Sequence, residues 1–358
     1  MRAAGDRFAQ LPRAAALAVL AAFAVLLATA SLTYPVHLKG NGFATTVPRT
    51  SKAPRDHDLA LYAAIAARVG RGENYYRSAV IEQRAGGFPV TPGLAVRLPT
   101  FAFLTVWLGR SGIQALGALL ALACALAWWR RLGAEPGGRG VRLAAVPLML
   151  ATAGYATSPH YFMLHEVWAG AFMTLALGLH RPGRWWWAWL AAAAALAIRE
   201  LALPLVMLLG AMALWRRDSR EAAAWALLVA LYAVVLAWHL HQIAPLVEPT
   251  DKPSPPWLVF RGLPGWTVNL VLSSHLAKLP NWLAAMVVCV PLIGWAGWRS
   301  PAGLTGFLLH AGYLVLFMAA GRDNNFYWGL LLAPSLALGL AFAPRALLSL
   351  GRAALGKP

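Results

Sequence analysis

Long apolar runs recur along nearly the whole chain, and each is closed by Arg, Pro, Gly or His. Runs of this length match helices that cross the roughly 30 Å hydrocarbon core of a bilayer, not the alternating pattern of half-buried strands. The first run covers residues 11–33. A long stretch of mixed polarity, 34–97, follows it, and within that stretch Leu59, Tyr62, Ile65 and Val69 recur at helical spacing. This predicts an amphipathic helix over 58–71, lying along the membrane with Asp58 at its N-cap. The next run, 98–129, is roughly 48 Å long if helical, too long for one straight crossing. Gly109, Arg110, Ser111 and Gly112 interrupt it, which predicts a break there with 113–129 as the crossing part.

Further crossings are expected at 143–156, 166–179, 185–198, 201–215, 222–240, 282–298, 304–320 and 326–343. Residues 98–344 then hold all the remaining spans, with an outer loop at 242–266 and a cytoplasmic tail at 345–358. The expected fold class is all-α: a single polytopic membrane domain, 1–358, of about ten transmembrane helices. The outer loop contains Pro245, Pro249, Pro253, Pro255, Pro256 and Pro264, which reads as a stiff extended segment over the site.

Composition agrees with this pattern. The chain has 358 residues, 59% hydrophobic and 12% charged, against about 25% charged in a soluble domain, so an ordinary soluble enzyme is excluded. The net charge of +18 would suggest a nucleic-acid partner if it formed a soluble face. Instead the arginines cluster at span ends, as Arg130, Arg131, Arg139 and Arg142, then Arg181 and Arg184, then Arg216, Arg217 and Arg220. That is the positive-inside signature of cytoplasmic loops, so no nucleic acid is expected and both termini are placed in the cytoplasm. Arg2, Arg7 and Arg13 before the first run read as an uncleaved signal anchor. Tryptophans beside the proposed cytoplasmic loops, among them Trp128, Trp186, Trp215, Trp295 and Trp298, are expected to anchor at the headgroup level. Cys124 and Cys289 lie inside apolar runs and read as small buried hydrophobes. Arginine far exceeds lysine, which points to a GC-rich bacterial genome and hence the bacterial inner membrane.

This topology sorts the carboxylates by side. Asp56, Asp58, Glu73, Glu82, Glu166, Glu200, Glu248, Asp251 and Asp323 fall outside the cytoplasm, so any chemistry is expected there. Acids that flank apolar runs are costly to keep and rarely idle. Asp56 and Asp58 flank His57 and precede Gly72-Glu73-Asn74-Tyr75 and Arg97-Leu98-Pro99. Such a pair could deprotonate a hydroxyl acceptor or hold a divalent metal, Mg or Mn.

An acidic pair at the start of a helix in the first outer loop, Tyr62 four residues after Asp58, the Gly72–Tyr75 turn and the Arg97–Pro99 lead-in resemble membrane glycosyltransferases of the GT-C superfamily. The branch most resembled comprises lipopolysaccharide sugar transferases, aminoarabinose transferases and protein mannosyltransferases. The resemblance implies a polyprenyl-phosphate-linked sugar donor, transfer on the extracytoplasmic face to a lipid, glycan or protein acceptor, and inversion at the anomeric carbon. By position, Asp58 is expected to be the base and Asp56 its orienting or metal-holding partner, although the Asp-His-Asp arrangement leaves open which of the two carboxylates is the base. The branch often carries a single Asp or an Asp-Glu pair, whereas this chain has Asp56-His57-Asp58.

Other candidates remain open between two roles. Glu166, with His165 beside it, either binds the acceptor or a metal with Asp58, or pairs with a nearby arginine while His165 stays solvated. Arg199 faces a donor phosphate or is neutralised by Glu200. Arg322 with Tyr327 resembles the family's C-terminal phosphate contact, the alternative being an ion pair with Asp323. Arg97 is a further phosphate candidate. His239, His241 and His275 do not share a face that would bind zinc. No Walker A run, Gly-x-Ser-x-Gly or His-Glu-x-x-His occurs. Two other classes stay open: a lipid or solute transporter, which predicts functional charges at mid-span, and a non-catalytic membrane assembly factor.

Overall fold

The computed structural model describes residues 6–40, 54–158 and 161–356, with side chains described from 6–34, 57–158 and 161–356. The described residues form helices α1 (Arg13–Gly40), α2 (Pro54–Gly70), α3 (Tyr75–Ala85), α4 (Thr100–Ala134), α5 (Arg142–Ala153), α6 (His165–Leu179) and α7 (Trp186–Ile198). They continue as α8 (Leu203–Trp215), α9 (Ser219–Ile243), α10 (Leu263–Leu272), α11 (Asn281–Val287), α12 (Val290–Gly297), α13 (Pro301–Ala319) and α14 (Ala333–Ala354). Among the described residues there is no strand. Five helices are long and apolar enough to cross a membrane: Arg13–Tyr34, Gly93–Ala134, Ser219–Leu246, Pro301–Ala319 and Ala333–Ala354. Four shorter apolar helices accompany them, Trp186–Ile198, Glu200–Trp215, Leu263–Leu272 and Asn281–Gly297.

Several local expectations meet a physical counterpart. The long second run bends at Gly109, whose φ of 62° only glycine adopts without strain, so α4 is two helical pieces across a kink. Pro204 sits in the first turn of α8, where its missing N–H costs nothing. The apolar run 282–298 is not one helix but α11 and α12, parted just before Pro291. The last run begins as a 3₁₀ helix, Asp323–Leu331, and α14 then continues through Pro344 to Ala354, so most of the expected tail is helix. The proline loop ends in α10, which is buried at nearly every position and which proline counting concealed.

The 58–71 helix also differs. It begins at Pro54, so Asp58 lies inside α2 and is not its N-cap. The face carrying Leu61, Ile65 and Val69 is buried against Tyr75, Tyr76, Ala79 and Val80 of α3, a helix the sequence pattern did not reveal. Of the positions in the expected apolar face, Ile65 and Val69 are buried, Leu59 and Tyr62 only partly so, and Leu61 joins them; protein covers this face.

Close helix approach rests on glycines. α12 and α14 touch through Gly294 and Gly339, where a Cβ on either residue would collide with backbone of the other helix. Trp128, Trp295 and Trp298 fill this interior, each 1% exposed or less, and so are core residues, not headgroup anchors. Trp186, Trp187 and Trp215 are exposed, as anchoring requires. The arginine-rich end is itself knitted together: buried Arg131 pairs with Glu135 at 3.1 Å and donates to the Leu177 carbonyl at 2.5 Å, while Glu221 accepts from His180 and Arg216, both at 2.8 Å. α4, α6 and α7 run from that end to the opposite one, where Arg97, Glu166 and Arg199 gather.

Candidate active site

The gathering point is a cavity of about 320 Å³ between α2, α3, the segment before α4, the α7–α8 turn, the proline loop and the 3₁₀ helix Asp323–Leu331. Its lining combines apolar Leu61, Ile65, Leu94, Val96 and Leu316 with the polar Asp58, Tyr62, Arg97, Arg199, Glu200, Arg322, Asn325 and Tyr327. A second chamber of about 350 Å³ shares Asp58, Arg322, Asn324, Tyr327, Phe88 and Pro89 with it and adds His57, Lys252 and Gly87. Asp58, Arg322 and Tyr327 therefore stand on the boundary of the two spaces.

Each polar group is held from its own element. Tyr75 donates its hydroxyl to the Arg97 carbonyl at 2.7 Å, which fixes the backbone just before α4. Arg97 Nε then donates to the Tyr62 hydroxyl at 3.3 Å, and its Nη1 lies 3.9 Å from Glu200. Arg199 ends α7, 1% exposed, with Nε on Glu166 at 2.6 Å and Nη1 on Glu200. Its guanidinium also lies 5.9 Å from the ring centre of Trp328. Arg97, Arg199, Glu166 and Glu200 thus form a cluster with no net formal charge, in which Arg199 and Glu166 are fully buried while Arg97 and Glu200 are partly exposed. Neutrality lets the buried pair stay out of water, since losing one partner leaves the other uncompensated at a cost of about 3–5 kcal/mol.

Two charged groups on the cavity wall remain outside that cluster. Asp58 is half-buried, and burial, the largest influence, pushes its carboxyl up to about 6. Arg97 and Arg199 pull it down, as does a hydrogen bond from Tyr327, while Glu166 pushes it further up. Arg322 pairs with no carboxylate among the described residues; its backbone N–H and Nε both donate to Asn325 Oδ1, at 3.1 and 3.4 Å, and its guanidinium sits 5.7 Å from the Trp257 ring centre. The alternative pairing with Asp323 does not form, because Asp323 Oδ1 lies 3.2 Å from Arg261 instead.

The expected candidates therefore separate. Asp58, Arg97, Arg199, Arg322 and Tyr327 share one cavity. Glu166, fully buried, is held by Arg199 and lines neither chamber, so it supports the wall and does not face an acceptor. His165 is neither solvated nor in the cavity: it is 3% exposed at the start of α6, edge-on to Tyr62 with ring centres 4.5 Å apart, and packed against Phe101. Arg199 is committed to two carboxylates, which weakens its claim as a phosphate ligand. The Tyr327 hydroxyl accepts from Asn325 Nδ2 at 3.3 Å and lines both chambers with Asp58 and Arg322. The side chain of Asp56 lies outside the described residues.

The described donors do not gather into a divalent metal site. Among the described residues no three His, Cys, Asp or Glu side chains converge. The carboxylate that faces Asp58, Glu166, already holds a guanidinium, and the positive charges of Arg97 and Arg199 oppose a cation between them.

No protein-family model, curated protein or solved structure matches this chain. The functional reading therefore rests on the site's chemistry alone. Sequence reading gave no role to Asn325 or Trp257, and it noted Tyr75 only as part of the Gly72–Tyr75 turn. Asn325 stood within the run Gly321–Trp328 that drew attention for Arg322, but a buried amide carries no charge signal. Trp257 was hidden in the proline loop, which proves to be tied down: Arg84 grips Asp251 at 2.6 Å and Glu248 at 2.9 Å, Ser254 N–H donates to the Thr91 carbonyl at 2.6 Å, and Gly321 N–H donates to the Trp257 carbonyl at 2.7 Å.

Proposed function

We propose that the chain is a polytopic membrane glycosyltransferase of GT-C type, working on the periplasmic or outer face of a bacterial inner membrane. It moves one sugar from a polyprenyl-phosphate donor to a lipid, glycan or protein hydroxyl. The observation that carries this reading is the shared wall of the two chambers, where a carboxyl with a raised pKa and an arginine that pairs with no carboxylate among the described residues stand together. A phosphate leaving group needs the second and an acceptor hydroxyl the first.

In this mechanism the donor lies in the half-apolar cavity with its phosphate on Arg322, and the acceptor arrives from the second chamber. The acceptor oxygen forms the new bond to the anomeric carbon as Asp58 takes its proton. The bond between that carbon and the phosphate oxygen breaks, its electron pair leaving on the phosphate, where Arg322 stabilises the added charge. Arg97 adds positive potential from the neutral cluster. Asp58 with a pKa of about 6 is ionised at neutral pH and a stronger base than an ordinary aspartate, which is the compromise general-base catalysis favours.

The test is sugar transfer, or slow donor hydrolysis, by protein in nanodiscs supplied with a panel of radiolabelled polyprenyl-phosphate sugars. Wild type is compared with Asp58→Asn, with and without EDTA. Turnover that is lost in the variant and insensitive to EDTA supports the reading. Absence of turnover with every donor, alongside retained lipid-phosphate binding, would transfer support to a transporter or assembly factor.

A further inference from the structure

The proline loop runs into four apolar residues, Trp257-Leu258-Val259-Phe260, and from Pro253 to Phe260 it carries no charge. The backbone of this segment is tied to the end of α13. Gly321 N–H donates to the Trp257 carbonyl and Arg261 N–H to the Met318 carbonyl, both at 2.7 Å, and Leu258 pairs with Ala320 as an antiparallel bridge. Both ends are also anchored inward by side chains. The Trp257 ring lies beside the Arg322 guanidinium on the cavity wall, while buried Arg261 reaches Asp323 at 3.2 Å and Asn269 at 3.3 Å. Between these anchors Leu258 is 83% exposed and Phe260 80%, and Val259 is exposed as well. A segment pinned at both ends cannot swing its side chains into the core, so this apolar strip is a fixed part of the surface, and water is a poor neighbour for it.

The adjoining surface identifies a better neighbour. α13 has 19 residues, about 28 Å of helix, which matches the roughly 30 Å hydrocarbon core of a bilayer, so its end marks the edge of that core. The strip is paired with that end. Val315 and Ala319, one turn apart on α13, are exposed as lipid-facing residues must be, and their apolar surface runs on to Leu258 beside Ala320. The cavity reaches the same edge. Leu94, Leu201, Trp257 and Leu316 line it, yet Leu94 is exposed and the other three are partly so. The Tyr313 hydroxyl donates to the Leu201 carbonyl and holds α13 against the α7–α8 turn there. Leu316 follows exposed Val315 in the chain and Trp257 precedes exposed Leu258, so cavity wall and lipid-facing surface are made by neighbouring residues of the same elements.

We propose that residues 257–260 are a lip seated among the acyl chains of the outer leaflet, and that the cavity opens sideways to the bilayer beside it, across Leu94, Leu201, Trp257 and Leu316. A lipid substrate then keeps its apolar chain in the membrane while its phosphate reaches Arg322. The lip follows from exposure and backbone pairing; the passage of a substrate chain rests on the glycosyltransferase reading for its purpose. A long polyprenyl chain exceeds a cavity of about 320 Å³, so most of it stays outside, and an apolar exit spares that part contact with water.

The experiment has two arms, both on full-length protein in nanodiscs. In the first, nitroxide labels are attached to Leu258→Cys and Phe260→Cys, with Pro249→Cys as an exposed control on the same loop and Val315→Cys as a control on the crossing helix. Cys124 and Cys289 are buried, and a mock reaction on wild type gives their background. Electron paramagnetic resonance reads collisions with oxygen, which concentrates among acyl chains, and with a water-soluble nickel chelate. Labels at 258 and 260 should match Val315, rich in oxygen and poor in nickel collisions; labels that match Pro249 overturn the lip. In the second arm, polyprenyl phosphate without a sugar, carrying a diazirine near its phosphate end, is irradiated and its adducts are mapped by mass spectrometry. Adducts on Leu94, Trp257 or Leu316 should be lost when unlabelled polyprenyl phosphate is added and retained with an equal excess of phosphatidylglycerol. Adducts confined to Leu258 and Phe260, or diluted equally by both lipids, overturn the opening. Neither arm needs turnover, so absence of sugar transfer in wild type would count against the glycosyltransferase reading alone.

Discussion

If Asp58 is the base, the pH dependence of turnover should carry its signature. With a pKa of about 6, the carboxyl is about 90% ionised at pH 7 and only about 10% at pH 5. Activity should therefore fall about tenfold between those values, whereas an ordinary aspartate would lose less than a tenth of its ionised form. Two variants shift the inflection in opposite directions. Arg97→Gln removes a positive charge that holds the pKa down, so the inflection should rise; Glu166→Gln removes a negative charge that holds it up, so the inflection should fall. The assay is a pH–rate profile of donor hydrolysis for each protein. An inflection that stays near 4 in wild type, or that moves the same way in both variants, refutes the assignment.

The same shift has a consequence for stability that needs no substrate. Because the native carboxyl binds its proton more tightly than the unfolded one, Asp58 favours folding while protonated. That contribution is present below the ordinary aspartate pKa and is lost as pH rises through about 6. At pH 7.5 the ionised group therefore costs stability, and Asp58→Asn should melt at a higher temperature than wild type. At pH 4.5 the difference should shrink. The half-buried carboxyl keeps some solvent contact, so the gain will fall short of the full 1.4 kcal/mol or so per pK unit. An inactive but stabilised variant is the expected mark of a residue kept for chemistry.

Other outcomes follow from particular contacts. Arg322→Gln should lower kcat/KM for the donor about ten- to hundredfold through loss of a charge-assisted bond, with Arg322→Lys recovering part of it, measured by steady-state transfer. Arg199→Met leaves Glu166 and Glu200 without their shared partner and should destabilise the fold by about 3–5 kcal/mol in thermal melts; adding Glu166→Gln should restore part of that loss. Gly294→Ala places a methyl against Gly339 backbone where α12 meets α14 and should cost about 1–3 kcal/mol by the same measurement. Arg84→Ala unties the proline loop, so cleavage before Asp251 by an Asp-N-type endoproteinase should accelerate. In wild type the hydrogen bond from Arg84 holds the Asp251 carboxyl at about 2, so the tie is present at ordinary pH and lost only as pH falls through about 2.

Much of the helical architecture was legible because a bilayer-length apolar run admits few alternatives: its backbone groups must bond within the segment. The kink at Gly109 was readable because two glycines and two polar residues broke such a run. α3 and α10 were not, and for different reasons. The α3 run Tyr75–Ala85 is polar enough to pass for loop, and only contact with α2 buries one of its faces. α10 follows a proline-dense stretch, and its apolar length is too short to register as a crossing. The misplaced role of Trp295 and Trp298 has the same origin: an indole next to a cationic loop can face lipid or core, and which one depends on a neighbouring helix that the local pattern does not identify.

At the site, the limit was pairing rather than identity. The sequence supplies the charges at 58, 97, 166, 199, 200 and 322 as equals, each a candidate because buried charge is expensive. Three-dimensional pairing removes that equality. Arg199 and Glu166, which look most conspicuous in apolar surroundings, neutralise each other and become wall; Arg97 and Glu200 complete the same neutral group. Arg322, flanked in sequence by an acid that would be its obvious partner, loses that acid to Arg261 and is left facing the cavity. A structural ion pair and a ligand-binding charge are therefore distinguished by what remains after the cancellations are made. Here the remainder is Arg322 and Asp58, one of each sign, on the wall shared by the two chambers.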